Sequence, residues 1–123
     1  MTGVAEWFEI EDGYPTDESL ERLAAVDAAD IDWWARFIVF DLPEIRAQMC
    51  GGASCVDVTE APNAVHVSLS TAGWSGVEDV MDIIESKAGA VFFMSSWRRG
   101  GHYEFNVPGA YLPLRQAAPE PNP

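Results

Sequence analysis

Cations are scarce in this chain. Seven Lys+Arg stand against twenty Asp+Glu, a formal net charge of −13. That balance argues against a general binder of nucleic-acid phosphates and against docking on anionic lipid. Cysteine is scarcer still: only Cys50 and Cys55 occur, separated by Gly51-Gly52-Ala53-Ser54. A disulfide is sterically possible across so flexible a loop. The amino-terminal stretch is acidic and lacks a basic segment followed by an apolar run, so reduced thiols in the cytoplasm are expected. With two histidines in the chain, no zinc-type ligand set is spelled out, and no metal or cofactor is implied. Long apolar runs are missing too. The most apolar stretch, Trp33 to Phe40, is interrupted by Arg36 and falls far short of the roughly 20 residues that cross a bilayer. The glycines spell neither a phosphate-binding GxxxxGK loop nor a GxGxxG dinucleotide turn. Gly73-Trp74-Ser75-Gly76 lacks the residue between Ser and Gly that a nucleophile elbow needs.

What is present suits one domain. The chain has 123 residues, 48% of them apolar, enough to bury a core. The acids are uneven: residues 1–60 hold 14 acids and 3 bases, residues 61–123 hold 6 acids and 4 bases. Thr16 before Asp17 and Glu18 reads as a helix cap, with Leu20, Leu23 and Ala24 at helical spacing to about residue 27. Asp30 caps a second helix through Ile31, Trp34, Phe37, Ile38 and Asp41, with Trp33 and Phe40 beside them. These aromatics read as core, with a dimer or partner surface as the other reading. Pro43 fits the first position of a short helix to Met49, stopped by Gly51-Gly52.

The period then changes from about 3.6 to 2. Val56 and Val58, then Val65, Val67 and Leu69, alternate with polar residues around a four-residue loop at 61–64, which reads as a hairpin. Ser75-Gly76-Val77-Glu78 reads as a capping box for a helix ending near Lys87 and Gly89. The run Ala90 to Trp97 reads as a central strand, Arg98-Arg99-Gly100-Gly101 as a tight turn, and His102 to Val107 as a fourth strand. The expectation is an α+β fold: N-terminal helices (about 15–49), then a ββαββ unit (about 54–107) with a four-stranded, mostly antiparallel sheet. Residues 1–109 form a single globular domain. Residues 110–123, with three prolines among the last eight residues, form an extended or disordered tail.

This topology nominates a site. The strand–helix–strand crossover makes the second and third strands parallel, so their carboxyl ends share one edge. The loop 71–76 and the hairpin 98–102 meet there. A helix start offers free N–H groups, Thr71 and Ser75 offer hydroxyls, and Gly73 and Gly76 allow close backbone approach. Arg98 and Arg99 add adjacent cations, Gly100 and Gly101 complete the turn, His102 lies one step beyond, and Trp74 supplies a flat face. Such a rim suits a phosphate, a carboxylate or an acidic side chain. The same residues serve equally as an ordinary helix start, an exposed hairpin tip and a core plug.

The segments Ser70-Thr71-Ala72-Gly73-Trp74-Ser75-Gly76 and Trp97-Arg98-Arg99-Gly100-Gly101-His102-Tyr103-Glu104-Phe105 resemble a pattern in small uncharacterised proteins of bacteriophages and related mobile elements. The resemblance covers about residues 65–107. It implies a setting, the bacterial host cytoplasm, and no catalytic activity.

The expected function is therefore that of a non-enzymatic accessory protein that recognises an anionic group on a protein partner or small ligand through this rim. Two alternatives stand beside it. The acids of the first half could mimic nucleic acid and occupy a basic groove of a host enzyme. A small hydrolase or phosphoester enzyme could use Asp57, Thr59, His66, Ser68 and Ser70, which share the polar face of the hairpin, or Arg98, Arg99 and His102. A homodimer is left open.

Overall fold

The computed structural model describes residues 6–49, 55–98, 101–113 and 115–121, with the backbone alone at Trp97 and Arg98. A small antiparallel hairpin opens it, β1 (Ile10–Glu11) and β2 (Tyr14–Pro15), turning through Asp12 and Gly13 at positive φ. Helix α1 (Asp17–Ala24) follows. The Thr16 hydroxyl accepts the Ser19 amide, as its side-chain chemistry predicts. Ser19 in turn accepts the Glu9 amide at 2.7 Å, which ties the cap to the hairpin. The helix stops at Ala24, short of residue 27, because Ala25 closes its ladder and Val26 drops into the core.

Asp30 caps α2 (Ile31–Arg36) through the Trp33 amide. The helix then widens to a π-helical turn over Phe37–Asp41 and tightens again as α3 (Leu42–Ala47). Pro43 lies in the first turn of α3, as its fixed φ suits, and the junction with α2 is the wide π turn. The extra residue of the π turn absorbs the missing proline N–H while the chain continues. Trp33, Trp34 and Phe37 are buried together: Trp33 stacks on Phe37, Trp34 meets both edge-on, and Trp7 joins from the amino-terminal side. The aromatic helix is thus core, not a free partner surface.

The sheet holds β3 (Val56–Ala61), β4 (Ala64–Ser70), β5 (Met94–Arg98) and β6 (His102–Pro108) in the order β3-β4-β6-β5, every neighbouring pair antiparallel. Val65, Val67 and Leu69 of β4 face the core beside Val107, Phe105 and Tyr103 of β6. Alternation puts His66, Ser68, Ser70, His102 and Glu104 on the opposite face. The α+β class and the four-stranded sheet are as the patterning predicts.

Ala61 pairs with Ala64, so the hairpin loop is the two residues Pro62 and Asn63 rather than four. The run from Ala90 to Trp97 is no central strand. After helix α4 (Ser75–Glu85), Ala88–Val91 forms a helical turn, α5, and within that run only Met94 onward is strand, at the sheet's edge. A short apolar run does not distinguish strand from helix by period. Gly89 anchors α5 through its N–H on the Ala28 carbonyl, where a Cβ would lie 2.8 Å from that oxygen.

The tail is extended and docked. After a 3-10 turn at Gly109–Tyr111, residues 115–121 run along α1, α2 and the π turn, and Leu112 and Ala118 are buried. The question of a Cys50–Cys55 pair lies outside the described residues.

Candidate functional site

The sheet order puts β6 between β4 and β5, and two antiparallel pairings in succession leave β4 and β5 parallel. The start of the 71–76 loop and the end of the 98–102 hairpin therefore meet on one rim. Ser70 is registered with His102, the Thr71 amide donates to the Gly101 carbonyl at 2.8 Å, and Arg98 is registered with His102 from the other side. Gly101 sits at φ +83°, and a Cβ there would lie 2.1 Å from Thr71 Oγ1. Only glycine fits this contact. Arg99 and Gly100 lie outside the described residues.

The loop is a tight turn closed by the Trp74 amide on the Thr71 carbonyl at 2.9 Å. Its central residues, Ala72 and Gly73, both have positive φ, 54° and 74°. For alanine that costs about 1–2 kcal/mol. Ser70 Oγ accepts the Ala72 amide and Thr71 Oγ1 accepts the Gly73 amide, which hold the strained turn in shape. The space above Gly73 is open, with no atom within 4 Å of a notional Cβ.

The expected capping box is absent. Helix α4 (Ser75–Glu85) has Trp74 as its cap residue, without a side-chain cap. Ser75 is the first helical residue, exposed, and its N–H and that of Gly76 precede the helix's own ladder. Glu78 faces back to Thr71 Oγ1 instead, at 3.5 Å. Two of the nominated residues are spent on packing. The Trp74 ring stacks on Tyr14 and its Nε1–H donates to the Gly13 carbonyl at 3.0 Å. Gly76 lies under Tyr14 and Pro15, 3.0 Å and 3.1 Å from a notional Cβ. Thr71 is buried. The groups facing solvent at the rim are Ala72, Gly73 and Ser75, with His102 half-buried.

Beside the rim, a shallow cleft of about 110 Å³ is lined by Cys55, Val56, Asp57, Ser68, Ser70 and His102. It has room for a few water-sized groups, not for a nucleoside. Under it, Arg46 is buried and donates from Nε to the Ser70 carbonyl at 2.7 Å. Sequence reading missed this guanidinium. Its signal was a charged residue four positions after Leu42, on the helix face that buries Leu42 and Ile45.

His102 Nε2 lies 3.3 Å from Ser68 Oγ and 3.2 Å from Glu104 Oε2, and His66 Nε2 lies 3.5 Å from Glu104 Oε1. Serine and carboxylate thus share one nitrogen of His102. A relay needs the serine on one ring nitrogen and the acid on the other. Ser68, His102 and Glu104 therefore do not form such a relay in this geometry, and among the described residues no hydrogen bond joins Asp57 or Thr59 to either histidine. Among the described residues, no group of three His, Cys, Asp or Glu side chains could hold a metal ion. No helix of the described residues is long and apolar enough to cross a membrane.

Comparisons with protein families, with curated proteins and with solved structures give no match to the chain.

Proposed function

We propose that this is a non-enzymatic binding protein that recognises a small anionic group, on a protein partner or a small ligand, at the rim of loop 71–76 and hairpin 98–102. The observation that carries it is the juncture of Thr71 with Gly101, which sets a helix start, an open glycine turn and the arginine-bearing strand end side by side. Amide dipoles favour an anion there, and Arg98 and Arg99 carry two positive charges in the adjoining hairpin sequence, of the kind that pairs with anions. The strained Ala72 is held by hydroxyl bonds on both sides, as strain often is at ligand-contacting turns. The shared nitrogen of His102 disfavours the hydrolase alternative. The sequence resemblance supplies the setting, an accessory protein of a phage or mobile element acting in the bacterial cytoplasm.

The test is an Arg98→Ala, Arg99→Ala double variant, used as bait beside the wild type against a bacterial lysate. Binding is lost while stability stays within about 1 kcal/mol, as for most surface changes. Unchanged capture by the double variant would exclude the rim.

One observation favours the acidic-mimic reading. The cations with described side chains are largely used as internal struts: Arg36, Arg46 and Lys87 donate to backbone carbonyls. Arg22 and Arg115 pair with the carboxylates of Glu120 and Glu60. Of the acids in residues 1–60, all but Asp41 are exposed. On this reading, charge reversal within residues 6–32 abolishes binding and added salt weakens it steeply.

A further inference from the structure

Residues 116–121 are read by the helices through their backbone. Arg36 donates from Nε to the Gln116 carbonyl at 3.0 Å and from Nη2 to the Ala117 carbonyl at 2.6 Å. Asp41 Oδ2 accepts the Ala118 amide at 3.0 Å. Trp33 Nε1–H donates to the Pro119 carbonyl at 2.7 Å, and Arg22 to the Pro121 carbonyl at 3.1 Å and to Glu120. Two side chains make specific contacts: Ala118, which must be small to be buried, and Glu120, which meets Arg22. Main-chain contacts along an extended segment, with one small anchor and flanking prolines, are how peptide grooves recognise polyproline-type ligands.

The groove exceeds its occupant. A cavity of about 400 Å³ remains between Val26, Asp27, Asp30 and Trp33 on one side and Pro119–Pro121 on the other. The hinge that delivers the segment is strained: Arg115 sits at φ +48°, a left-handed conformation for a residue with a side chain. Strained hinges invite exchange of an element between copies, because exchange relaxes the hinge and keeps the contacts.

We propose that this groove is a peptide-binding site whose occupant in trans is the Gln-Ala-Ala-Pro-Glu-Pro segment, residues 116–121, of a second copy of the chain. The segment seated in cis shows the fit in register, donor and anchor. Proline fixes φ at two of its six positions, which lowers the entropy lost on docking.

The test uses the full chain and a fluorescent peptide of residues 115–121. A Pro119→Gly, Pro121→Gly variant gives its own segment more freedom when released, so its groove binds the added peptide at least ten-fold more tightly than the wild type. Adding Arg36→Ala, or Trp33→Phe where Arg36→Ala disturbs the near-ultraviolet dichroism, removes that gain. In sedimentation, the wild type shows a concentration-dependent dimer that excess peptide returns to monomer. Peptide binding equal in all three chains overturns the groove. Peptide binding without a dimer at any concentration overturns the second copy as occupant and passes the groove to a segment of another protein.

Discussion

Asp41 offers the sharpest quantitative test of how the closing segment is held. Its side chain is fully buried, one carboxylate oxygen accepts the Ala118 amide, and the other has no partner among the described residues. Burial raises its pKa from 3.8 to about 7, and the Ala118 hydrogen bond and Arg36 charge only partly oppose that. The folded state therefore binds a proton that the unfolded chain has released between about pH 4 and pH 7. Stability from this group is full below the unfolded pKa and is lost as pH rises through about 7. Three pKa units at 1.36 kcal/mol each give about 4 kcal/mol across the window. Asp41→Asn keeps an oxygen for the Ala118 amide and removes the ionisation. Its new NH₂ lacks a partner, which costs about 1–3 kcal/mol. The variant should thus be less stable than the wild type at pH 4.5 and more stable, by about 1–3 kcal/mol, at pH 8. Urea unfolding of both chains at four pH values between 4.5 and 8 checks this. A wild-type-minus-variant difference that stays flat across the range refutes the reasoning.

Two further predictions concern the rim and the caps. Gly101→Ala meets both a left-handed backbone and the buried Thr71 hydroxyl, and should cost roughly 3 kcal/mol, whereas Gly73→Ala, in open space, should cost only about 1 kcal/mol; urea midpoints separate them, and equal costs would mean Thr71 does not pack on Gly101. Thr16→Ala removes the acceptor for the Ser19 amide and a hydroxyl bonded to Ser19 Oγ, with an expected loss of about 1 kcal/mol by thermal unfolding.

Much of the fold was legible because local chemistry and tertiary structure agree. Thr16 and Asp30 cap the helices their side chains suit, and the alternation of Val65, Val67 and Leu69 sets which face of β4 is buried. The common rim followed from topology alone, since a helical crossover leaves its two strands parallel whichever strand lies between them. The edge position of β5 was not legible. Met94 to Arg98 pairs with β6 through an irregular register, and the apolar residues before it belong to α5. The capping box failed because the turn at Ala72 and Gly73 delivers the Trp74 carbonyl to Val77 and Glu78, leaving Ser75 inside the helix. The docked segment escaped notice because most of its hydrogen bonds are made by its backbone, which carries no residue-type signal. The hints lay in its partners, Arg36 and Asp41, charged residues that interrupt the apolar run from Trp33 onward.

The central claim is that loop 71–76 and hairpin 98–102 together hold an anion. Amide-resolved NMR titration with inorganic phosphate, on the wild type and on the Arg98→Ala, Arg99→Ala chain, tests it most directly. Saturable shifts at Gly73, Ser75, Gly76 and Gly101 in the wild type, lost in the double variant, are predicted. Shifts absent from these amides, or undiminished without the two arginines, would contradict it.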